Sequence, residues 1–345
     1  MKLKFLGVLM LCTFLLTLGS TAGAATKVWS NGVTGNWSTA ANWGGTLPAV
    51  GDTARINNGT VTLDLSQTVA CVQEGNTTGP ASNGTLNINS GANLTISGTT
   101  TELFGLVRFT GSTATVNHSA GTVTVSQPAG TLGETRLVTG SGVTAGTANY
   151  NLSGTAILDT QILSRGLKSI TTANFNATGG TLIVRTKINK FGRIAEGAGY
   201  GFNQGTCTLE VGAIGTVGAI TVGDGSNSMD YTVGTGGTLA IDIASLVSYD
   251  TILQYGDLCN TAGATLTVDL LGGYTPIDSF FDVWTFNDKA KAGSGLFASL
   301  PSGWTATWVD TNADLSTDTL RLYIPEPATI ALLGLGLLAI RRNKK

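Results

Sequence analysis

Along the middle of the chain a short phrase recurs: an apolar or aromatic residue, a small polar turn with glycine, then alternating apolar and polar positions. It reads INSGANLTI from Ile88, VNHSAGTVTV from Val116, YNLSGTAIL from Tyr150 and FNATGGTLIV from Phe175. It goes on as FNQGTCTLEV from Phe202, YTVGTGGTLAI from Tyr231 and CNTAGATLTV from Cys259. The spacing of these starts is uneven but stays within the range of stacked repeat architectures. The alternation has period two, as at Leu86/Ile88, Val123/Val125 and Leu239/Ile241/Ile243, so every second side chain faces the same way from a strand. No stretch between Thr26 and Ile324 has a helical period with a capping box, which excludes helical repeats. A propeller blade takes about 40 or more residues, longer than this repeat. One turn of a parallel β-helix fits: three short strands, with Gly and Asn at corners that require positive φ. The expected fold is therefore all-β, a parallel β-helix (a β-solenoid, expected right-handed). Seven stacked coils at ~4.8 Å would form a rod about 35 Å long.

The six tryptophans flank the repeats: Trp29, Trp37 and Trp43 before them, Trp284, Trp304 and Trp308 after. A stack of coils exposes apolar core and open strand edges at both ends, and large aromatic side chains cover such ends well. The expectation is aromatic-rich end caps. The competing use of the same rings is as sugar-stacking platforms.

Both termini differ from this body. Lys2 and Lys4 precede an apolar run from Phe5 to Leu18, and Ala22-Gly23-Ala24 supplies a small-residue cleavage site, the layout of a secretory signal peptide. At the other end Pro325-Glu326-Pro327 is followed by an apolar run, Ala328 to Ile340, and then by Arg341, Arg342, Asn343, Lys344 and Lys345. As a helix those thirteen apolar residues would span ~20 Å of a bilayer core about 30 Å thick. The contact with the membrane is thus expected to be transient, with the basic end held on the cytoplasmic side. The prolines keep the preceding chain extended.

Removing both ends removes six of the 19 basic residues, while all 21 acidic residues lie between Asp52 and Glu326. The body is then near −8 instead of −2, a balance that argues against nucleic acid as a partner. Cys71, Cys207 and Cys259 remain after signal removal at spacings that match no metal motif. They read as buried single thiols, although export would permit one disulfide.

Triplet, short apolar helix and basic end resemble the PEP-CTERM sorting signal of exported proteins in Gram-negative bacteria that make extracellular polysaccharide. The resemblance implies recognition by an exosortase, a membrane protease, and removal of the tail. The sorting residues are Pro325, Glu326 and Pro327, with Arg341 and Arg342 in the basic end. A second resemblance lies in Trp29, Gly35-x-Trp37, Asn42-Trp43, Pro48 and Gly51-Asp52. These look like the start of large planctomycete-type surface proteins with autotransporter-like β-repeats. It implies a β-solenoid surface protein and no reaction.

Chemistry is thin. Arg165, Lys168, Arg185, Lys187, Lys190 and Arg193 form a basic strip. Arg165, Lys168, Arg185 and Lys187 are the candidate polysaccharide contacts, but no acidic pair adjoins them in sequence, and an exposed charged face needs no function. His118, the one histidine, lies in what reads as a turn without an acid beside it. DGSNSMD from Asp224 and DTNADLSTD from Asp310 place oxygen ligands near calcium-loop spacing, but the second lacks the required Gly and terminal Glu. No metal site, cofactor or catalytic residue is expected.

The resulting organisation is a signal peptide (1–24), an N-terminal strand and cap region (25–80), β-solenoid repeats (81–270), a C-terminal β cap (271–323) and a sorting tail (324–345). The expected role is a non-catalytic cell-surface, outer-membrane or extracellular-matrix protein, a scaffold or adhesin associated with exopolysaccharide. Alternatives are a polysaccharide lyase or hydrolase on a β-helix, and a carbohydrate-binding module using the terminal tryptophans.

Overall fold

The computed structural model describes residues 24–30, 32–74, 82–99, 102–107, 111–127, 134–138, 146–166, 172–189, 200–224, 229–256, 259–286, 296–311 and 318–325. Among them there is no α-helix, only 3-10 turns at Ala40–Trp43 and Leu271–Gly273. The protein is all-β with parallel sheets, and no sheet closes on itself.

Strands fall into three rows. In the first, Thr34–Asn36, Gly59–Thr62, Asn83–Ile88, Ser112–His118, Gly146–Leu152 and Thr172–Ala177 pair in parallel in chain order. Their in-register inward positions are Gly35, Val61, Leu86, Val116, Tyr150 and Phe175. Tyr200–Asn203, Met229–Thr232 and Cys259–Asn260 form a separate parallel sheet with Phe202, Tyr231 and Cys259 in register. The two sheets meet where the rings of Phe175 and Phe202 lie 5.9 Å apart. One repeat start needs correction. Leu86, not Ile88, aligns with Val116, and Ile88 aligns with His118. LNIN offers two apolar–Asn steps, and only the backbone register decides between them.

The second row holds Gln67–Val69, Leu94–Ile96, Thr122–Val125, Thr208–Val211, Thr238–Ser245 and Thr265–Leu270. The third holds Thr53–Ile56, Cys71–Glu74, Glu102–Val107, Glu134–Val138, Ala219–Val222, Thr251–Gln254 and Ser279–Phe286. Two long strands, Ile157–Gly166 and Thr181–Asn189, serve both rows through a register shift between Thr160 and Ile162. This irregularity joins the two rows into one 19-stranded sheet, as a bulge bends a strand without ending it. Inward residues of all rows share one continuous buried cluster that runs from Trp29 to Leu322.

Corners between the first and second rows use glycine in the left-handed region, for example Gly121 (φ 77°) and Gly154 (φ 59°). At Gly121 a Cβ would also collide with the carbonyl of Ala92 on the preceding rung, whereas at Gly91 (φ 78°) the space is open. Gly91→Ala is therefore expected to cost about 1 kcal/mol for φ alone, and Gly121→Ala about 2–4 kcal/mol because rung spacing must also give. Urea unfolding of the two variants checks the difference. Equal losses would mean that rung contact adds nothing.

The ends are closed differently. At the N-terminus Trp29, Trp37 and Trp43 are all buried. Trp43 lies 5.0 Å from Trp29 and 4.8 Å from Trp37, ring centre to ring centre. Trp43 Nε1 donates to the Trp37 carbonyl and Trp29 Nε1 to that of Val33, each at 2.9 Å. At the other end the run of parallel strands stops where Thr319–Ile324 pairs antiparallel with both Ser279–Phe286 and Thr305–Val309. Trp284 is fully buried there against Tyr231 and donates Nε1 to Gln254.

Candidate functional site

The last strand ends at Ile324, and Pro325 follows it as an exposed coil residue. Glu326, Pro327, the apolar run, Arg341 and Arg342 lie outside the described residues, as do the signal segment and Lys168. No helix among the described residues is long and apolar enough to cross a membrane.

The basic strip is less basic in space than in sequence. Arg185 makes a bidentate pair with Asp159, Nε–Oδ1 at 2.7 Å and Nη2–Oδ2 at 2.6 Å, a strong charge-assisted geometry. That carboxylate raises the Arg185 pKa further. Lys187 Nζ reaches Asp224 Oδ2 at 3.0 Å. Arg165 lies in the strand Ile157–Gly166, but its side chain is outside the described part. Lys190 and Arg193 are likewise outside it.

One acidic group escapes a linear reading. Asp242 and Asp269 sit directly opposite each other on adjacent parallel strands, and Glu210 lies on the strand before, opposite Ala240. Burial, then the charges of Asp242 and Asp269, push Glu210 up to about 7. Asp250 is buried and holds the corner: its oxygens accept from the backbone N–H of Gly218 (2.6 Å) and Asp242 (2.7 Å). Burial raises it to about 7 despite those bonds. Asp242, also buried, is raised by desolvation first and by Asp269 second, and its Oδ2 has no hydrogen-bond partner among the described residues. The only sequence signal was the recurrence of one acid near the end of the strands TLEV, TLAIDI and TLTVDL.

His118 is corrected by the structure. It ends the strand Ser112–His118, fully buried, and is not in a turn. Nε2 lies 3.0 Å from the Gly121 carbonyl, so it carries the proton, and Nδ1 accepts from the Tyr150 hydroxyl at 2.9 Å. Burial lowers its pKa to about 4, so the ring is neutral and structural at pH 7. Glu74 is completely buried, and burial raises its pKa well above the usual carboxylate range. Cys71 and Cys207 are buried thiols, Cys207 pushed up to about 12 by burial. The side chain of Cys259 is outside the described part.

These shifts set a pH dependence. Glu210, Asp242, Asp250 and Glu74 bind protons more tightly folded than unfolded, so they favour the fold at low pH and lose that contribution as pH rises, Glu210 and Asp250 as it passes through about 7. His118 has the opposite sign, gaining stability as pH rises from about 4 to 6.5. Between pH 6.5 and pH 8 the carboxylates dominate among the described residues. The thermal midpoint is expected to fall by on the order of 5 °C between pH 6 and pH 8, and Glu210→Gln should flatten that slope. A midpoint that rises over the same interval contradicts the assignment.

Among the described residues no three His, Cys, Asp or Glu side chains are placed to hold a metal ion. Asp224 is engaged by Lys187, and Asp318 accepts from the Thr311 backbone and hydroxyl. Asn312 and Asp314 of the second acidic loop lie outside the described residues. The tryptophan rings at the N-terminus are packed into the core and offer no face to a sugar.

Residues 324–345 match the PEP-CTERM protein-sorting motif. No curated protein matches the chain.

Proposed function

We propose that this chain, an exported protein that an exosortase sorts to the cell surface or extracellular space through its PEP-CTERM signal, is a non-catalytic scaffold or adhesin associated with exopolysaccharide. Its body is a parallel β-solenoid, and its work is extended, repetitive surface. The register carries this reading. Along the first row successive repeats pair their strands in parallel, inward positions stack from one repeat to the next, and the sorting motif begins at the end of the last strand. Stacking favours length and area over a single deep cleft. The engaged Arg185 and Lys187 support a surface role for the basic strip. Autotransporter-like repeats of the planctomycete type belong to the same reading.

A polysaccharide lyase or hydrolase is the second reading, favoured by one observation: three carboxylates on adjacent strands, Glu210, Asp242 and Asp269, with Glu210 held near neutrality. Glycoside cleavage uses a carboxyl pair with separated pKa values. Incubation of the purified protein with neutral and uronic-acid polysaccharides, with and without Ca²⁺, separates the two. The scaffold predicts no new reducing or unsaturated ends. Their release, abolished by Glu210→Gln or Arg185→Ala, would establish the enzyme.

A further inference from the structure

The outward face of the first row has a composition that the chain as a whole does not. On all six strands the inward residue is flanked on both sides by Thr or Asn: TGN from Thr34, TVT from Thr60, TLN from Thr85, TVN from Thr115, NYN from Asn149 and NFN from Asn174. Thr (54) and Asn (22) together are under a quarter of 345 residues, so composition alone does not fill twelve of twelve positions. Parallel register stacks them into two straight columns with a pitch of ~4.8 Å, separated by about 6.6 Å along the strands. All twelve side chains are exposed or half-exposed.

The amides are also oriented. Asn117 Nδ2 donates to Asn87 Oδ1 at 2.9 Å, Asn151 to Asn117 at 2.8 Å and Asn176 to Asn151 at 2.9 Å. Asn174 donates to Asn149 in the neighbouring column at 2.8 Å. Each inner member of the ladder commits one N–H and one lone pair to its neighbours. It keeps one donor and one acceptor for a ligand. Those groups repeat in one sense at fixed pitch, so they are already ordered before anything binds.

Charge selects the occupant. None of the twelve positions is ionisable, whereas Asp159, Arg185, Lys187, Glu210, Asp242 and Asp269 all lie on the other sheet. A polyanion would meet no counter-charge here and a net acidic body behind it. A neutral polyhydroxyl chain meets a matching array of donors and acceptors. We infer that the Asn/Thr face of the first row is a binding surface for a neutral polysaccharide, the chain lying along the stacking direction across several rungs. This deepens the exopolysaccharide association proposed above and rests on it.

The test is retention of the full chain on microcrystalline cellulose and starch granules, and its retardation in gels containing dextran, with alginate as the anionic comparison. Wild type is expected to bind at least one neutral glycan and to ignore alginate. Asn117→Ala with Asn151→Ala should weaken binding at least about 10-fold by removing two adjacent donor–acceptor pairs. Thr115→Lys, a second variant on the same face, should do likewise, while Thr267→Ala on the other sheet leaves binding unchanged. Circular dichroism and thermal midpoints confirm that each variant is folded. Failure of folded wild type to bind any neutral glycan overturns the inference, as does equal binding by both face variants or binding to alginate alone. Ice-crystal shaping without glycan retention assigns the lattice to frozen water and also overturns it. Co-purification of the face variants with cellular exopolysaccharide at wild-type levels leaves the association standing and removes this face from it.

Discussion

Replacing Trp37 and Trp43 together by alanine is expected to open the N-terminal end of the stack and to make the protein associate through it. Both rings are buried, and Trp43 is the centre of the cluster, touching Trp29 and Trp37 and donating to the Trp37 carbonyl. Truncating a buried aromatic costs about 3–5 kcal/mol per ring, and the two will not add fully because they share one cavity. The exposed edge then offers unpaired backbone groups of Thr34–Asn36 and Thr26–Val28 to another chain. Trp37→Phe, which keeps most of the volume, should cost much less, since Trp37 Nε1 makes no hydrogen bond among the described residues. Sedimentation and urea unfolding check both effects. A monomeric double variant as stable as wild type would falsify the capping role.

Deleting residues 328–345 is expected to release the body, unsorted, into the periplasm or medium. Only Pro325, Glu326 and Pro327 separate the last strand from the apolar run, so any processing enzyme meets the marker within about 10 Å of the folded cap. The run is about seven residues short of a comfortable span. Extending it to about 22 apolar residues should therefore trap the protein in the inner membrane. Fractionation of cells expressing the two variants distinguishes the outcomes. Identical surface yield from all three chains would remove the tail from sorting.

The strands and their repeat were legible in the sequence because alternation with period two survives in each unit, as at Val123/Val125. The burial of all three N-terminal tryptophans also follows from their position outside the repeats. What remained hidden depends on register, which the uneven spacing of the repeats conceals. Asp242 and Asp269 belong to different repeats and face each other only after Leu239 is set against Leu266. His118 read as a turn residue because SAG follows it, yet the inward phase of its strand carries it into the core beside Tyr150. Eight Asn-x-Ser/Thr sequons lie along the chain. Asn117, Asn151 and Asn176 among them are consecutive members of one side-chain ladder.

The most direct measurement is mass spectrometry of the C-terminus of protein extracted from the surface of native cells. If the tail is an address that an exosortase removes, mature chains end at or near Pro325-Glu326-Pro327 and lack the apolar run. Mature chains that still end at Lys345 would contradict the account and make the tail a permanent anchor.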